Sequence, residues 1–516
     1  MLDLGKTFLQ SVERSPDSLA IVDGERQLNY RQWYGEISSL VAGLQAAGLG
    51  SGDRILVVLQ NRYEMATLHW ACQFLGLIMT PLNWRAKAEE VGYCIRDSNV
   101  KAIFYEAFSA DAVRAAATDE SILRIAVATE NSEPDMAFDL LLSRPDAPEA
   151  QPQADSETIS LMLYTSGTTG NPKGVPRRHR HERAAALGHV AQNQYRRGEC
   201  TLGVMPLYHT MGVRSLLSMA LVDGAFICMP KFDPEQALAL IARYRISCLY
   251  LVPTLYHDLL RKYQDGLHDI SMVRKLGFAG ASMPDGLLLS LQALFQPDLF
   301  VNHYGSSEVY TFSIDDDATR KPGSAGRAGI NTRLRVIDMD SFDVTAVVEA
   351  GREGQIIADL AGDEAFEGYW NRPDANAKSL RDGWYFTGDI GYVDKDGDLF
   401  VTGRVDDMMI SGGENISPID IESVLSLHDA VDEVAVVGLP DERWGQRVTA
   451  FIKASRPVTA DELDAHCRNS DLLNFKRPRD YIFVQDIPKS PVGKLLRRLL
   501  IAGQYSKIEH SNTHKS

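Results

Sequence analysis

Short apolar strand-like runs separated by helical stretches recur along most of this chain, and that alternation restricts its fold more than any other feature. Between residues 26 and 145, helical segments such as YGEISSLVAGLQAAGL alternate with the β-rich runs DRILVVL and VKAIFYE. Strands that are almost continuously apolar have no polar face to turn toward water. They call for cover on both sides, as in a parallel sheet built from α/β units. A polar stretch without apolar period, RPDAPEAQPQADSE (144–157), reads as a surface connection between two subdomains. Beyond the strand-like TISLMLY, the runs GAFICMP, ISCLYLVP, KLGFAG and LFVNHYG predict a second parallel α/β layer. From about residue 323 the pattern becomes Gly-punctuated β runs, RLRVID, GQIIADL and GDLFVTGR, which suit hairpins or a small β-barrel-like subdomain. After Arg404 a compact α+β tail follows, ending in KLLRRLL.

At 516 residues the chain exceeds the roughly 250–300 residues at which single cores stop growing, so at least two domains are expected. With 45% hydrophobic and 24% charged residues it has the composition of a soluble globular protein. Its net charge of −16 argues against nucleic acid or an anionic membrane as the main partner, because such binding needs clustered positive charge. The six cysteines, Cys72, Cys94, Cys200, Cys228, Cys248 and Cys467, show no CxxC pair and read as reduced thiols. The start of the sequence lacks the basic, then apolar, pattern of a signal peptide, and no run of about 18 apolar residues occurs, so the expected location is cytoplasmic.

The stretch YTSGTTGNPKGV (164–175) concentrates glycines, hydroxyls and one lysine behind a strand. It fails the Walker pattern: the lysine is in register from Gly167, but Pro172 and Gly174 stand where a second glycine and a magnesium-binding hydroxyl belong. Glycines that expose backbone N–H groups, with the hydroxyls of Thr165, Ser166, Thr168 and Thr169 and the charge of Lys173, still suit a polyphosphate. Taken alone, the same residues would equally make a Gly-rich turn with a surface lysine.

Five more motifs follow in order: MPLYHTMG (205–212), NHYGSSEV (302–309), WYFTGD (384–389), GRVDDMMISGGENISPIDIE (403–422) and PKSPVGKLLRR (488–498). Together the six resemble the signatures of the adenylate-forming superfamily of acyl- and aryl-CoA synthetases, luciferases and peptide-synthetase adenylation domains. LPDERWGQRVTA and LNFKRPRDY are most similar to 4-chlorobenzoate-type aryl-CoA ligases. The resemblance implies an N-terminal adenylation domain, 1–405, and a small mobile α+β C-terminal domain, 406–516, hinged at Asp406.

It also implies roles. The phosphate loop would be Thr165, Ser166, Gly167, Thr168, Thr169, Gly170 and Lys173, with Ser307 beside it; Glu308 would bind Mg²⁺, whose preference for oxygen ligands a carboxylate satisfies. Asp389 would accept the ATP ribose hydroxyls, and Arg404 would touch ribose or phosphate. Lys494 would bridge the substrate carboxylate and the α-phosphate, offsetting repulsion between two anions as the acyl-AMP forms. His209 joins Lys494 and Glu308 as a catalytic candidate, by resemblance an aromatic wall of the acid pocket. No second ligand stands three or four residues from it, and the HRH run (179–181 with its neighbours) reads as solvent-exposed, so zinc is rejected.

For the thioester step, the resemblance places CoA on Arg85, Gly412, Gly413, Trp444, Phe475 and Arg477, although each also reads as an ordinary packing or surface residue. The acid pocket would be lined by His209, Met211, Tyr250, Gly280, Ala281, His303, Gly305, Tyr310 and Thr311, a wall of aromatics and Met with few charges that suits an aromatic or cyclic carboxylate. His303 replaces an expected aliphatic residue; it either meets a polar group on the substrate or bonds a neighbour. The expected activity is AMP-forming acid–CoA ligation, with ATP, CoA and Mg²⁺ required and a homodimer left open. A medium-chain fatty acyl-CoA synthetase, an adenylation domain serving a carrier protein, and a non-catalytic binding protein are the alternatives.

Overall fold

A computed structural model describes residues 2–128, 136–144, 146–165, 172–405, 407–412, 414–470, 472–489 and 495–508. Three sheets organise it. The first has seven strands, with Arg54–Val58 at its centre pairing in parallel with Ile78–Pro81 and Ala102–Tyr105. Ala102–Tyr105 is buried at every position, the two-sided burial that its apolar run demanded. The second sheet runs Cys200–Gly203, Cys248–Leu251, Lys275–Phe278 and Leu299–Tyr304 in parallel, in register Cys248↔Lys275↔Leu299. Between the sheets lies helix Tyr63–Leu75, in which only Glu64 escapes full burial. A helix buried on every side takes its few polar residues, Thr67, His69 and Gln73, into the core with it.

Strand pairing departs from chain order repeatedly, and two departures tie distant segments into the sheets. Strand Ile159–Thr165, past the polar connection, joins the first sheet beside Ile78–Pro81. Strand Leu19–Asp23, near the N-terminus, pairs in parallel with Ala225–Cys228 of the second. The connection itself is not wholly a surface segment: Ala150 and Ala154 are buried, and the Ala150 carbonyl accepts the Tyr34 hydroxyl at 2.8 Å.

The Gly-punctuated segment forms the expected antiparallel hairpins. Their pairing path is open, running Leu334–Ile337, Gly354–Asp359, Trp384–Val393, Leu399–Arg404 and Ser324–Ala328, and it continues through Ser313–Asp315 into Leu299–Tyr304. The result is a ribbon that extends the parallel sheet and sets Asp389 opposite Arg404 on two adjacent inner strands. The C-terminal sheet has five strands built around the long pair Val431–Asp441 and Gly445–Ala454, covered by helices Pro418–Ser426 and Ala460–Arg468. All six cysteines are free and buried. No helix among the described residues is long and apolar enough to cross a membrane.

Candidate active site

The glycine-rich motif connects two antiparallel strands, Ile159–Thr165 and Lys173–Arg178, with Thr165 opposite Lys173. That is a hairpin rather than a strand-to-helix turn, in keeping with the failed Walker match. Ser166, Gly167, Thr168, Thr169 and Gly170 lie outside the described residues, as do Lys494, Asp406 and Gly413.

Lys173 stands 4.1 Å over the centre of the Tyr369 ring, and the Tyr369 hydroxyl donates to Glu308 Oε1 at 2.7 Å. Burial pushes the Lys173 ammonium below its usual range; Glu308 acts against that shift, while Arg372, Lys378 and Arg404 reinforce it. Glu308 is 6% exposed, with half-buried Ser307 beside it. Behind Glu308, Arg177 fixes the chain by donating to the carbonyl oxygens of Glu308 and Glu364 at 3.1 and 2.7 Å. Arg177 is itself paired with Glu182 at 2.8 Å, both side chains fully buried, and Glu182 accepts the Tyr310 hydroxyl at 3.1 Å. Breaking such a pair strands a buried charge, so the knot resists displacement.

Across the site, strand Trp384–Val393 sets Asp389 opposite Arg404, whose Nε lies 3.3 Å from Asp389 Oδ1. The Tyr304 hydroxyl donates to Asp389 Oδ2 at 2.5 Å. The structure therefore gathers Lys173, Glu308, Asp389 and Arg404 from four separate motifs. It adds Tyr304, Tyr369 and Arg177, which the motif reading did not select.

His209 caps helix Thr210–Leu221, its Nδ1 accepting the Met211 N–H at 3.4 Å. Gly212 is required there, because a Cβ would fall inside van der Waals contact of the Pro206 carbonyl. From that helix Met211 reaches toward Gly280, while Tyr250, His303, Tyr310 and Thr311 are all buried behind the exposed Gly280 and Gly305 and the half-buried Ala281. The rim lies at the carboxyl ends of adjacent parallel strands, where open α/β sheets bind ligands.

Behind the pocket residues lies a charge that the motif reading did not select: Arg214, 2% exposed, donates to Thr311 Oγ1 and to the Tyr250 hydroxyl, both at 2.7 Å. One expectation is corrected: the HRH run is not solvent-exposed, since His179 and His181 are 0% and 1% exposed. Arg178 and Arg180 are instead held outward by Glu367, each at 2.6 Å, which turns the histidines inward. Burial, with the nearby arginines, depresses His181 to about 2.

Glu364, near Arg177 and Arg214, is raised by burial to about 7. A carboxyl whose folded pKa exceeds its unfolded value of about 4.5 stabilises the fold when protonated, and that stability is lost as pH rises from about 4.5 through 7. Glu364→Gln should flatten this dependence and, at pH 8, raise stability by up to about 3 kcal/mol in denaturant titration. An unchanged pH profile would contradict the assignment.

Of the CoA-side residues, Arg85 lies 3.6 Å from the Trp84 ring centre and lines a cavity of about 280 Å³ with Lys231 and Lys489. Gly412, at φ +63°, packs against the Trp444 ring, its N–H donating to the Trp444 carbonyl at 2.9 Å. Arg443 and Arg479 approach that ring at 4.8 and 5.0 Å. Phe475 is 39% exposed, and Arg477 pairs with Asp464 at 3.4 Å. Arg85 is thus the one member of the set lining that cavity.

The AMP-binding enzyme model matches residues 8–370, and the AMP-binding enzyme C-terminal domain model matches residues 420–494. The chain belongs to the AMP-binding enzyme family. It is similar to 4-chlorobenzoate–CoA ligase of Arthrobacter, 34% identical over 504 residues, which cover 95% of this chain and 93% of that protein. It is 31% identical to a long-chain-fatty-acid–CoA ligase of Mycobacterium tuberculosis, over 98% of this chain and 99% of that one. Among solved structures, O-succinylbenzoate coenzyme A synthetase from Bacillus subtilis, in complex with ATP and a magnesium ion, superposes with a TM-score of 0.81 at 25% identity, covering 96% of this chain and 98% of that one. The expected fold, a large N-terminal domain with parallel sheets and a smaller C-terminal domain, is the one this AMP-binding enzyme has.

Proposed function

We propose that this AMP-binding enzyme is an acid–thiol ligase that activates an aromatic or cyclic carboxylate as its acyl-AMP and transfers the acyl group to coenzyme A. The observation that carries the reading is the convergence of Lys173, Glu308, Asp389 and Arg404 beside a pocket whose rim lies at the carboxyl ends of parallel strands. Lys173 faces the pyrophosphate that leaves; Asp389, oriented by Tyr304 and Arg404, takes the ribose hydroxyls. Catalysis is then largely positioning and charge neutralisation.

The Glu308 carboxylate, a hard oxygen donor with Oε1 held by Tyr369, fits a magnesium ion. When bound, the metal supplies charge neutralisation of the phosphates. The magnesium in the Bacillus relative supports this assignment. Lys494 handles the α-phosphate in the first half-reaction, and residues 406–516 then rotate about Asp406 against 1–405 to bring Gly412 and Gly413 toward the thiol. Arg85, with Trp444, Phe475 and Arg477, meets the CoA nucleotide.

Carboxylate-dependent ATP–pyrophosphate exchange should appear with at least one acid in a panel of benzoates, heteroaromatic, cyclohexane and medium-chain acids. A medium-chain acid preferred over every ring acid would overturn the substrate class. Exchange with none would overturn the ligase reading itself.

A further inference from the structure

Arg214 is a buried cation whose bonds leave it incompletely satisfied. It lies on helix Thr210–Leu221, five residues after His209, in the otherwise uncharged stretch TMGVRSLLSMAL. Its two hydrogen bonds go to neutral hydroxyls, those of Thr311 and Tyr250, and its Nε, also buried, has no partner among the described residues. A guanidinium taken out of water needs an acceptor for each N–H, and leaving one unmade costs more than a made bond returns. Such a group in a native protein calls for a ligand or water that completes it.

His303, also beside Tyr250, has an unpartnered buried atom of its own. The Tyr250 ring centre lies 5.2 Å from that of His303 and 5.4 Å from the Arg214 guanidinium. The Asn193 amide nitrogen stands 3.0 Å from His303 Nε2. Burial, with Arg214 nearby, keeps the ring neutral. The Asn193 amide oxygen stands 3.4 Å from the same Nε2, so Nε2 can either accept from Asn193 or donate to it; the other ring nitrogen, Nδ1, is buried and unpartnered among the described residues. One unmet donor, Arg214 Nε, and one unmet ring nitrogen, His303 Nδ1, therefore lie beside the same tyrosine.

We propose that Arg214, assisted by His303, is the specificity determinant of the acid pocket and selects substrates that carry a second oxygen acceptor, above all a second carboxylate, at the end remote from the reacting carboxylate. An apolar substituent would leave the Arg214 Nε–H unmet, whereas a carboxylate gives it the acceptor that neither the two hydroxyls nor the nearby Glu364 supplies by a hydrogen bond. The inference rests on the ligase reading above and refines its substrate class.

The test compares exchange kinetics for matched acids: 4-carboxybenzoate and 4-acetylbenzoate against 4-isopropylbenzoate, and hexanedioate against heptanoate. The native enzyme should favour the acceptor-bearing member of at least one pair by roughly 10-fold or more in kcat/KM, and Arg214→Met should cut that ratio by roughly 10–100-fold. His303→Leu, which leaves the cation in place, should lower the ratio by a smaller factor; it keeps the proposal testable if Arg214→Met does not fold. Native preference for the apolar member of both pairs, or a ratio indifferent to both variants, overturns the proposal while leaving the ligase reading intact. Absence of exchange with every acid overturns both.

Discussion

Lys494→Ala should lower carboxylate-dependent ATP–pyrophosphate exchange by roughly 10²–10³-fold, the cost of removing one preorganised group from a developing anionic centre, and leave acyl transfer from supplied acyl-AMP to CoA largely intact. The asymmetry follows from charge. In the first half-reaction a carboxylate approaches a phosphate, and a cation between them relieves the repulsion while the α-phosphate gathers charge. In the second, a thiol attacks a mixed anhydride whose carboxylate is already consumed, and the leaving group is AMP. Lys494 itself lies outside the described residues, but its flanks do not: Lys489 and Leu495 form an antiparallel bridge, and Lys489 lines the cavity that also holds Arg85. Arg497, shortly after, is anchored to Glu422 of helix Pro418–Ser426 at 2.7 Å and donates to the Val436 carbonyl at 3.3 Å, so the motif is tied to the C-terminal helix and sheet. Both half-reactions should be measured on one preparation of the variant. Equal loss in the two would contradict the assignment of Lys494 to the first step alone.

The strands were readable because two-sided burial writes an apolar run into the sequence, as in Ala102–Tyr105 and Cys248–Leu251. Their partners were not, because a run of apolar residues carries no record of which neighbour it will pair with. Ile159–Thr165 therefore returned to the first sheet, and Leu19–Asp23 joined the second, against chain order. At the site, Glu308, Asp389, Arg404 and Lys173 were legible through their motifs. Tyr304 and Tyr369, which orient two of them, look like ordinary aromatics until the fold brings their hydroxyls to a carboxylate. The run PRRHRHER was misread by its charge: ion pairs hold Arg178 and Arg180 outward, and the histidines between them turn into the core. Arg214 had a usable signal, a lone charge in an otherwise uncharged helix, which no resemblance pointed to.

Glu308→Gln should reduce adenylation by roughly 10²–10³-fold and also move the alkaline limb of its pH profile to lower pH. The substitution keeps the side chain's shape and an oxygen to accept the Tyr369 hydroxyl, so it removes chiefly the charge. That charge has two uses. It is the carboxylate that fits magnesium, and it acts on Lys173, whose ammonium stands 4.1 Å over the Tyr369 ring that Glu308 holds. Burial lowers the Lys173 pKa from its usual 10.5, Glu308 raises it, and Arg372, Lys378 and Arg404 lower it further. The protonated lysine is the form that can neutralise phosphate, so activity falls as pH rises through the depressed pKa. Without Glu308, burial and the three neighbouring cations push further downward, and the fall begins at a lower pH. Lys173→Arg, whose guanidinium does not deprotonate in this range, should remove the alkaline limb from both backgrounds. A Glu308→Gln enzyme that is slower yet keeps the native limb would show that Glu308 serves the metal and not the lysine.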